Sequence, residues 1–135
     1  MDLKSIKNIS VIGSGLMGSG ISQIFASYGY QVKSYDVDPG QELIMRDLIR
    51  SNLSLVMADQ ADKTEQIEQI ISRITFTTDL QSAAESADFV VECVPENMNL
   101  KQEVFSALDS ICRSDVPLAS NTSVMSITEI ASKCE

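Results

Sequence analysis

The sequence predicts an α/β fold: one parallel sheet, doubly wound by helices, forming a single domain over residues 1–135. Three observations predict it. Short apolar, β-branched segments alternate with segments of helical periodicity from end to end. A glycine-rich turn, Gly13-Ser14-Gly15-Leu16-Met17-Gly18, joins the first strand segment to the first helical one. A later segment, 88–94, is almost continuously apolar, as a strand buried on both faces of a parallel sheet must be.

In order along the chain, Lys7 to Ile12 reads as a strand that stops at Gly13. Leu16 to Tyr28 has apolar residues at helical spacing, Leu16, Met17, Ile21, Ile24, Phe25 and Tyr28, with Gly29 placed as a C-cap. Gln31 to Tyr35 is a second strand, completing one βαβ unit. Asp38-Pro39 is expected to open a second helix, Asp as N-cap and Pro in the first turn, running to about Ala58. Ala61 to Ser72 reads as another helix, with Ile67, Ile70 and Ile71 on one face, and Ile74 to Thr77 as a short strand. Leu80 to Ser86 is a brief helical turn and Asp88 to Val94 a strand. Met98 to Cys112 is helical, with Leu100, Val104, Phe105, Leu108 and Ile111 as its expected buried stripe. Pro117 to Ser120 is a strand, and Ser126-Ile127-Thr128-Glu129 matches a capping box that starts a last helix.

Composition excludes several classes. The net charge of −9 opposes nucleic-acid binding, which needs clustered Lys and Arg. No apolar run is long enough to span a membrane, and Met1 to Lys7 lacks the pattern of a secretory leader. A cytoplasmic or matrix-type compartment is expected. Cys93, Cys112 and Cys134 are odd in number and without CxxC spacing, so neither a disulfide framework nor a zinc site is expected, and no metal is assigned. The chain contains no histidine.

The glycine turn carries the chemistry. Gly13 permits a tight exit from the strand, Gly15 lets a pyrophosphate approach the backbone, and Gly18 lets the helix pack close to the strand. The helix N-terminus then offers free N–H groups and a partial positive charge to phosphates. A P-loop would require Gly-Lys-Ser/Thr after the last glycine; Gly18-Ser19 stands there instead. The pattern is that of a Rossmann-type dinucleotide turn. Asp36, closing the second strand, is placed to accept both hydroxyls of an adenine ribose. It would repel a 2′-phosphate by on the order of a few kcal/mol. No Arg follows it, so NAD is favoured over NADP, with flavin a minor alternative.

Two polar segments follow late strands: Val94-Pro95-Glu96-Asn97, trailed by Lys101, and Ser120-Asn121-Thr122-Ser123. Chemistry alone leaves each open between a site and an ordinary turn. Together with the glycine turn and the run Val91-Glu92-Cys93-Val94-Pro95-Glu96-Asn97, however, they resemble the L-3-hydroxyacyl-CoA dehydrogenase family, 3-hydroxybutyryl-CoA dehydrogenases included, over essentially the whole chain. The resemblance implies roles. Met17 would lie in the turn against NAD and Asp36 would hold the adenine ribose. Val94, Glu96 and Lys101 would line the nicotinamide side, Lys101 with a charge suited to cofactor or acyl-CoA. Ser123 would bond the reacting oxygen, and Asn121 would order that loop. The implied reaction, part of fatty acid metabolism, is hydride transfer between C3 of a 3-hydroxyacyl-CoA and NAD.

The sequence departs from the family in two places. The resemblance implies a histidine base oriented by a glutamate beyond the Ser-Asn-Thr-Ser loop, then a helical domain that builds the acyl pocket and the homodimer interface. Neither is in this chain, so the expectation is cofactor binding without turnover. The stretch 52–62, where the family tends to place basic residues toward CoA, carries Asp59 and Asp62 and no basic residue. That leaves a non-CoA hydroxy acid (carnitine or a sugar acid) and a non-catalytic NAD-binding module as alternatives. The last helix is further expected to expose Ile127 and Ile130.

Overall fold

The alternation of segments is realised as a five-stranded, all-parallel sheet in the order β3-β2-β1-β4-β5. The computed structural model describes residues 5–135, so part of the reading of Met1 to Lys7 lies outside the described residues. The strands are β1 (Asn8–Ile12), β2 (Gln31–Tyr35), β3 (Ile74–Thr77), β4 (Phe89–Glu92) and β5 (Leu118–Ser120). Between them run α1 (Leu16–Ser27), α2 (Gln41–Val56), α3 (Lys63–Ser72), α4 (Leu80–Ala84) and α5 (Met98–Ile111). After β5 come α6 (Ile127–Ile130) and a 3-10 turn (Ala131–Lys133).

The chain winds outward from β1 through β2 to β3, returns to β4 on the other side, and ends at β5. The order therefore reverses between β1 and β4. Ligands of such sheets sit at that reversal, outside the C-terminal ends of the strands. Side chains alternate across the sheet. Ile9, Val11 and Val32 join Met45, Ile49, Leu53, Ile67 and Ile71 of α2 and α3 in one core. Ile12 and Val90 join Ala83, Ala84 and Leu108 in the other. The sheet is thus covered on both faces, which explains the apolar strands.

Helix α1 is helical as its spacing predicts, and Ile21 and Phe25 pack against the core, yet its fully buried residues are all small. Gly18, Ser19, Ser22 and Ala26 face inward, while Leu16, Met17, Ile24 and Tyr28 are exposed. Small residues bring the helix close to the sheet. Gly29 ends it with a positive φ of 90°, as expected of a C-terminal glycine.

Several expectations are corrected. Asp38-Pro39 does not cap α2. The Asp38 carboxylate instead accepts from the Gly40 amide at 2.8 Å, forming a turn before the helix, whose N-cap is Gly40. Helix α3 begins at Lys63, not Ala61, and β4 ends at Glu92, short of Val94. The inward face of α5 is Lys101, Phe105 and Leu108, and Leu100 is 36% exposed. Ile127 is exposed, but Ile130 is fully buried. Ser126 caps the last helix by accepting from the Glu129 amide at 3.3 Å, and that helix is only four residues long.

Candidate functional site

The glycine turn lies at the C-terminal end of β1. Gly13 has φ +106°, and a Cβ there would meet the Cys93 carbonyl oxygen at 2.7 Å, so glycine is required twice over. A Cβ on Gly18 would fall 1.7 Å from the Gly13 carbonyl oxygen, which fixes how closely α1 approaches the turn. Gly15 is different: a Cβ there would meet nothing within 4 Å. The space in front of it is open, at the N-cap of α1. No side chain caps that end and no acidic residue occupies its first turn. The first amides of α1 are therefore free to receive an anion. Leu16 and Met17 are exposed beside this opening. These features fit a pyrophosphate.

Asp36, after β2, is already wired to the turn. Its Oδ2 accepts from the Ser14 amide at 3.0 Å and its Oδ1 from the Asp38 amide at 3.1 Å. Each oxygen keeps capacity for a hydroxyl donor. Beneath it, the buried Ser14 and Ser34 hydroxyls lie 2.9 Å apart, and the Ser14 hydroxyl also reaches the Tyr35 carbonyl at 3.2 Å. These contacts tie the turn to β2.

The second half of the site is built around Glu92, the last residue of β4, which is fully buried. Its Oε1 accepts from the Val94 amide at 2.6 Å and from Lys101 Nζ at 2.8 Å. Its Oε2 accepts from the Ser120 hydroxyl at 2.6 Å. The Asn121 amide donates to the Glu92 carbonyl at 2.8 Å. Lys101 projects from the first turn of α5, whose N-cap Asn97 accepts from the Leu100 amide at 3.0 Å. Its ammonium also donates to the Val94 carbonyl at 3.1 Å and reaches Glu96 Oε1 at 3.1 Å. That makes three acceptors for three N–H donors. Glu96 continues the chain of contacts by accepting from the Thr122 hydroxyl at 2.8 Å.

The charges respond to this arrangement. Burial alone would lower the Lys101 pKa, but the hydrogen bonds and charges of Glu92 and Glu96 outweigh it and hold the ammonium above its ordinary value. Bonds from Thr122 and Lys101 hold the Glu96 carboxyl below the usual range. Burial, helped by the Glu92 charge, pushes the Cys93 thiol up to about 11, which keeps it protonated and unreactive. The three cysteines are free. Among the described residues, no group of three or more His, Cys, Asp or Glu could hold a metal ion.

All the residues singled out from the sequence thus fall on one edge of the sheet. Gly13, Gly15, Met17 and Gly18 lie at β1, Asp36 at β2, Val94, Glu96 and Lys101 at β4 and α5, and Asn121 and Ser123 beyond β5. Asp36 and the β5 loop are three strand spacings apart, about 14 Å, a span suited to an extended dinucleotide. Ser123 is exposed. Two expectations change. Lys101 is 1% exposed and saturated by its partners, so its charge is not available to phosphates. The β5 loop is ordered by the side chains of Ser120 and Thr122, whereas Asn121 contributes its backbone amide. Sequence reasoning missed Glu92 as the centre of this network. Its signal was a lone carboxylate closing an apolar strand.

Residues 8–135 match the family described as 3-hydroxyacyl-CoA dehydrogenase, NAD binding domain. The chain is 39% identical over 124 residues to a 3-hydroxybutyryl-CoA dehydrogenase of Clostridioides difficile, covering 92% of this chain and 44% of that protein. It is 36% identical over 133 residues to the mitochondrial hydroxyacyl-coenzyme A dehydrogenase of Rattus norvegicus, covering 93% and 42%. The crystal structure of 3-hydroxybutyryl-CoA dehydrogenase from Escherichia coli K12 superposes with a TM-score of 0.89 at 33% identity, covering 97% of this chain and 28% of that one. The chain spans less than half the length of these relatives. Among the described residues no helix is long and apolar enough to cross a membrane.

Proposed function

The chain belongs to the 3-hydroxyacyl-CoA dehydrogenase NAD-binding domain family, and from that premise we propose that residues 1–135 are the cofactor half of an enzyme moving hydride between C3 of a 3-hydroxyacyl-CoA and NAD. The observation that carries the reading is convergence. The open glycine turn and the Ser120–Ser123 loop stand at strand ends on either side of β4, linked through Glu92, Lys101 and Glu96.

NAD, when bound, supplies the hydride acceptor or donor at its nicotinamide ring. The chain's residues do the rest of what this half can do. The amides of Gly15, Leu16 and Met17 receive the pyrophosphate, and Gly15 leaves it room. Asp36 accepts the adenine-ribose hydroxyls. Val94 and Glu96 border the nicotinamide side, with Lys101 holding Glu96 in place. Ser123, exposed at the same edge, donates a hydrogen bond to the reacting oxygen. No imidazole exists in this chain to take the alcohol proton. A second, helical half supplies that base, the acyl pocket and the homodimer interface in the full-length enzyme, which is consistent with the 42–44% coverage of the curated relatives. Its substrates belong to fatty acid metabolism and its compartment is the cytoplasm.

Calorimetric titration tests the reading. The chain should bind NAD⁺ at least tenfold more tightly than NADP⁺, because the charge on Asp36 meets the extra phosphate. It should also leave 3-hydroxybutyryl-CoA unoxidised. Tighter binding of NADP⁺, or turnover at an ordinary enzymatic rate, would refute it. A non-CoA hydroxy acid is the second reading, favoured by the exposed, acidic Asp59 and the absence of basic residues over 52–62. A substrate panel on the full-length enzyme separates the two.

A further inference from the structure

Glu92 and Ser120 are assigned no contact with the cofactor, yet hydrogen-bonded arms run from Glu92 through Ser120 and through Lys101 to the β5 loop. Glu92 and Ser120 are register partners across β4 and β5. The Ser120 hydroxyl donates to Glu92 Oε2 at 2.6 Å and accepts from the Thr122 amide at 3.3 Å. On the other side, Glu92 holds Lys101, Lys101 holds Glu96, and Glu96 accepts from the Thr122 hydroxyl. That same hydroxyl accepts from the Met125 amide at 3.1 Å. Two arms therefore leave one buried carboxylate and close on Thr122, the residue before Ser123. Ser123 itself is exposed and lies on a loop whose backbone is otherwise bonded to the sheet only at Asn121.

We propose that Glu92 and Ser120 are positioning residues that hold Thr122, and through it Ser123, at the nicotinamide side of the site. Neither touches the cofactor; both act through the loop. The proposal rests on the NAD-binding reading for its functional consequence, but its structural half stands on the hydrogen bonds alone. A buried, multiply bonded carboxylate is rigid where a surface one is not, because each of its partners would be left unsatisfied if it moved. The network also links the loop to β4, which neighbours the glycine turn, so both halves of the site share one frame.

The test uses Ser120→Ala in the complete chain. This change leaves Glu92 bonded to the Val94 amide and to Lys101, so no charge is stranded and the fold is retained. Two ligands separate the halves of the site. ADP-ribose occupies the glycine turn and Asp36, whereas NAD⁺ also reaches the loop. By calorimetry, NAD⁺ binding should weaken about tenfold, the weight of one charge-assisted hydrogen bond. ADP-ribose binding should change less than about twofold. Ser120→Thr, which keeps the hydroxyl, should restore NAD⁺ binding. In parallel, hydrogen exchange of the Asn121–Met125 amides should quicken in Ser120→Ala while that of Gly13–Gly18 holds. Equal losses for both ligands, or no loss, would overturn the functional half. Unchanged exchange at 121–125 would overturn the positioning claim itself. If the wild-type chain binds neither ligand, the cofactor reading fails, and the exchange result still decides whether Ser120 orders the loop.

Discussion

Replacing Lys101 by Met is the sharpest perturbation of this molecule. Met has a similar reach and no charge, so the change removes an ammonium and little volume. Lys101 is 1% exposed and Glu92 is fully buried, so the Glu92 carboxylate remains in the interior facing only the Val94 amide and the Ser120 hydroxyl. Removing one partner of a buried ion pair costs about 3–5 kcal/mol, because the other charge has nowhere to go. Against a total stability of about 5–15 kcal/mol that is a large fraction. At a urea m-value near 1.5 kcal/mol/M it lowers the midpoint by about 2–3 M. Far-UV circular dichroism during urea unfolding reads it directly. The exposed Arg50–Glu68 pair is the control, and Glu68→Gln should leave the midpoint nearly unmoved. Replacing both buried partners, Glu92→Leu with Lys101→Met, should recover most of the loss while still disordering the β5 loop. If Lys101→Met costs less than about 1 kcal/mol, the pair is not buried as described and the account of the network is wrong.

The two glycines of the turn should separate folding from binding. Gly18→Ala forces a backbone clash at 1.7 Å and should destabilise the chain in thermal melts by at least the 1–3 kcal/mol typical of overpacking, whereas Gly15→Ala should melt like wild type and lose cofactor affinity in titrations. Stability should also depend on pH in a defined way. Hydrogen bonds from the amides of Lys7 and Asn8 hold the Asp88 carboxyl below its ordinary value, as Thr122 and Lys101 do for Glu96. Their contribution is therefore complete above the usual carboxylate range, near pH 4, and is lost as pH falls through their lowered folded-state values. Lys101 is raised, so its contribution is complete at neutral pH and is lost only as pH rises through its folded-state value, above that of an ordinary lysine. Urea midpoints across pH should show one broad plateau, and a fall between pH 6 and 8 would contradict these assignments.

How much of this was legible in the sequence depends on how local each feature is. The glycine turn and β2 are set by neighbours in the chain, through strand pattern and backbone conformation, and they were placed within a residue. Asp36 was read as a ribose acceptor, but its bond to the Ser14 amide 22 residues away was not, since only the β1–β2 pairing creates it. The α2 start was misplaced because Asp-Pro suits both an N-cap and the turn before a helix, and nothing local decides between them. Of the apolar residues whose spacing predicts α1, Ile21 and Phe25 pack against the core, but Leu16, Met17, Ile24 and Tyr28 are exposed. Amphipathic spacing reports the period of a helix, while the face that packs is chosen here by Gly18, Ser19 and Ser22, which periodicity analysis gives little weight.

Lys101 shows the limit most clearly, and it bears on how the site works. Of the expected stripe on α5, Phe105 and Leu108 are buried and Val104 and Ile111 pack against the core, but the position that faces inward at its start is Lys101 rather than Leu100. Leu100 and Lys101 differ by one residue, a rotation of about 100°. Hydrophobicity favours the first, because lysine is almost never buried unless paired. The pairing partner, Glu92, lies nine residues earlier on a different element, and the partnership exists only once β4 and α5 are packed. With Glu92 in place, Lys101 is buried and Leu100 is turned partly to solvent. The consequence reaches the cofactor. Lys101 is held by two carboxylates, so in the function proposed above the pyrophosphate is met by the uncapped N-terminus of α1 and the open space at Gly15. Binding by backbone amides and a helix dipole, with no mobile cation, demands a rigid turn. The Gly13 and Gly18 contacts, the Ser14–Asp36 bond and the Ser14–Ser34 pair supply that rigidity.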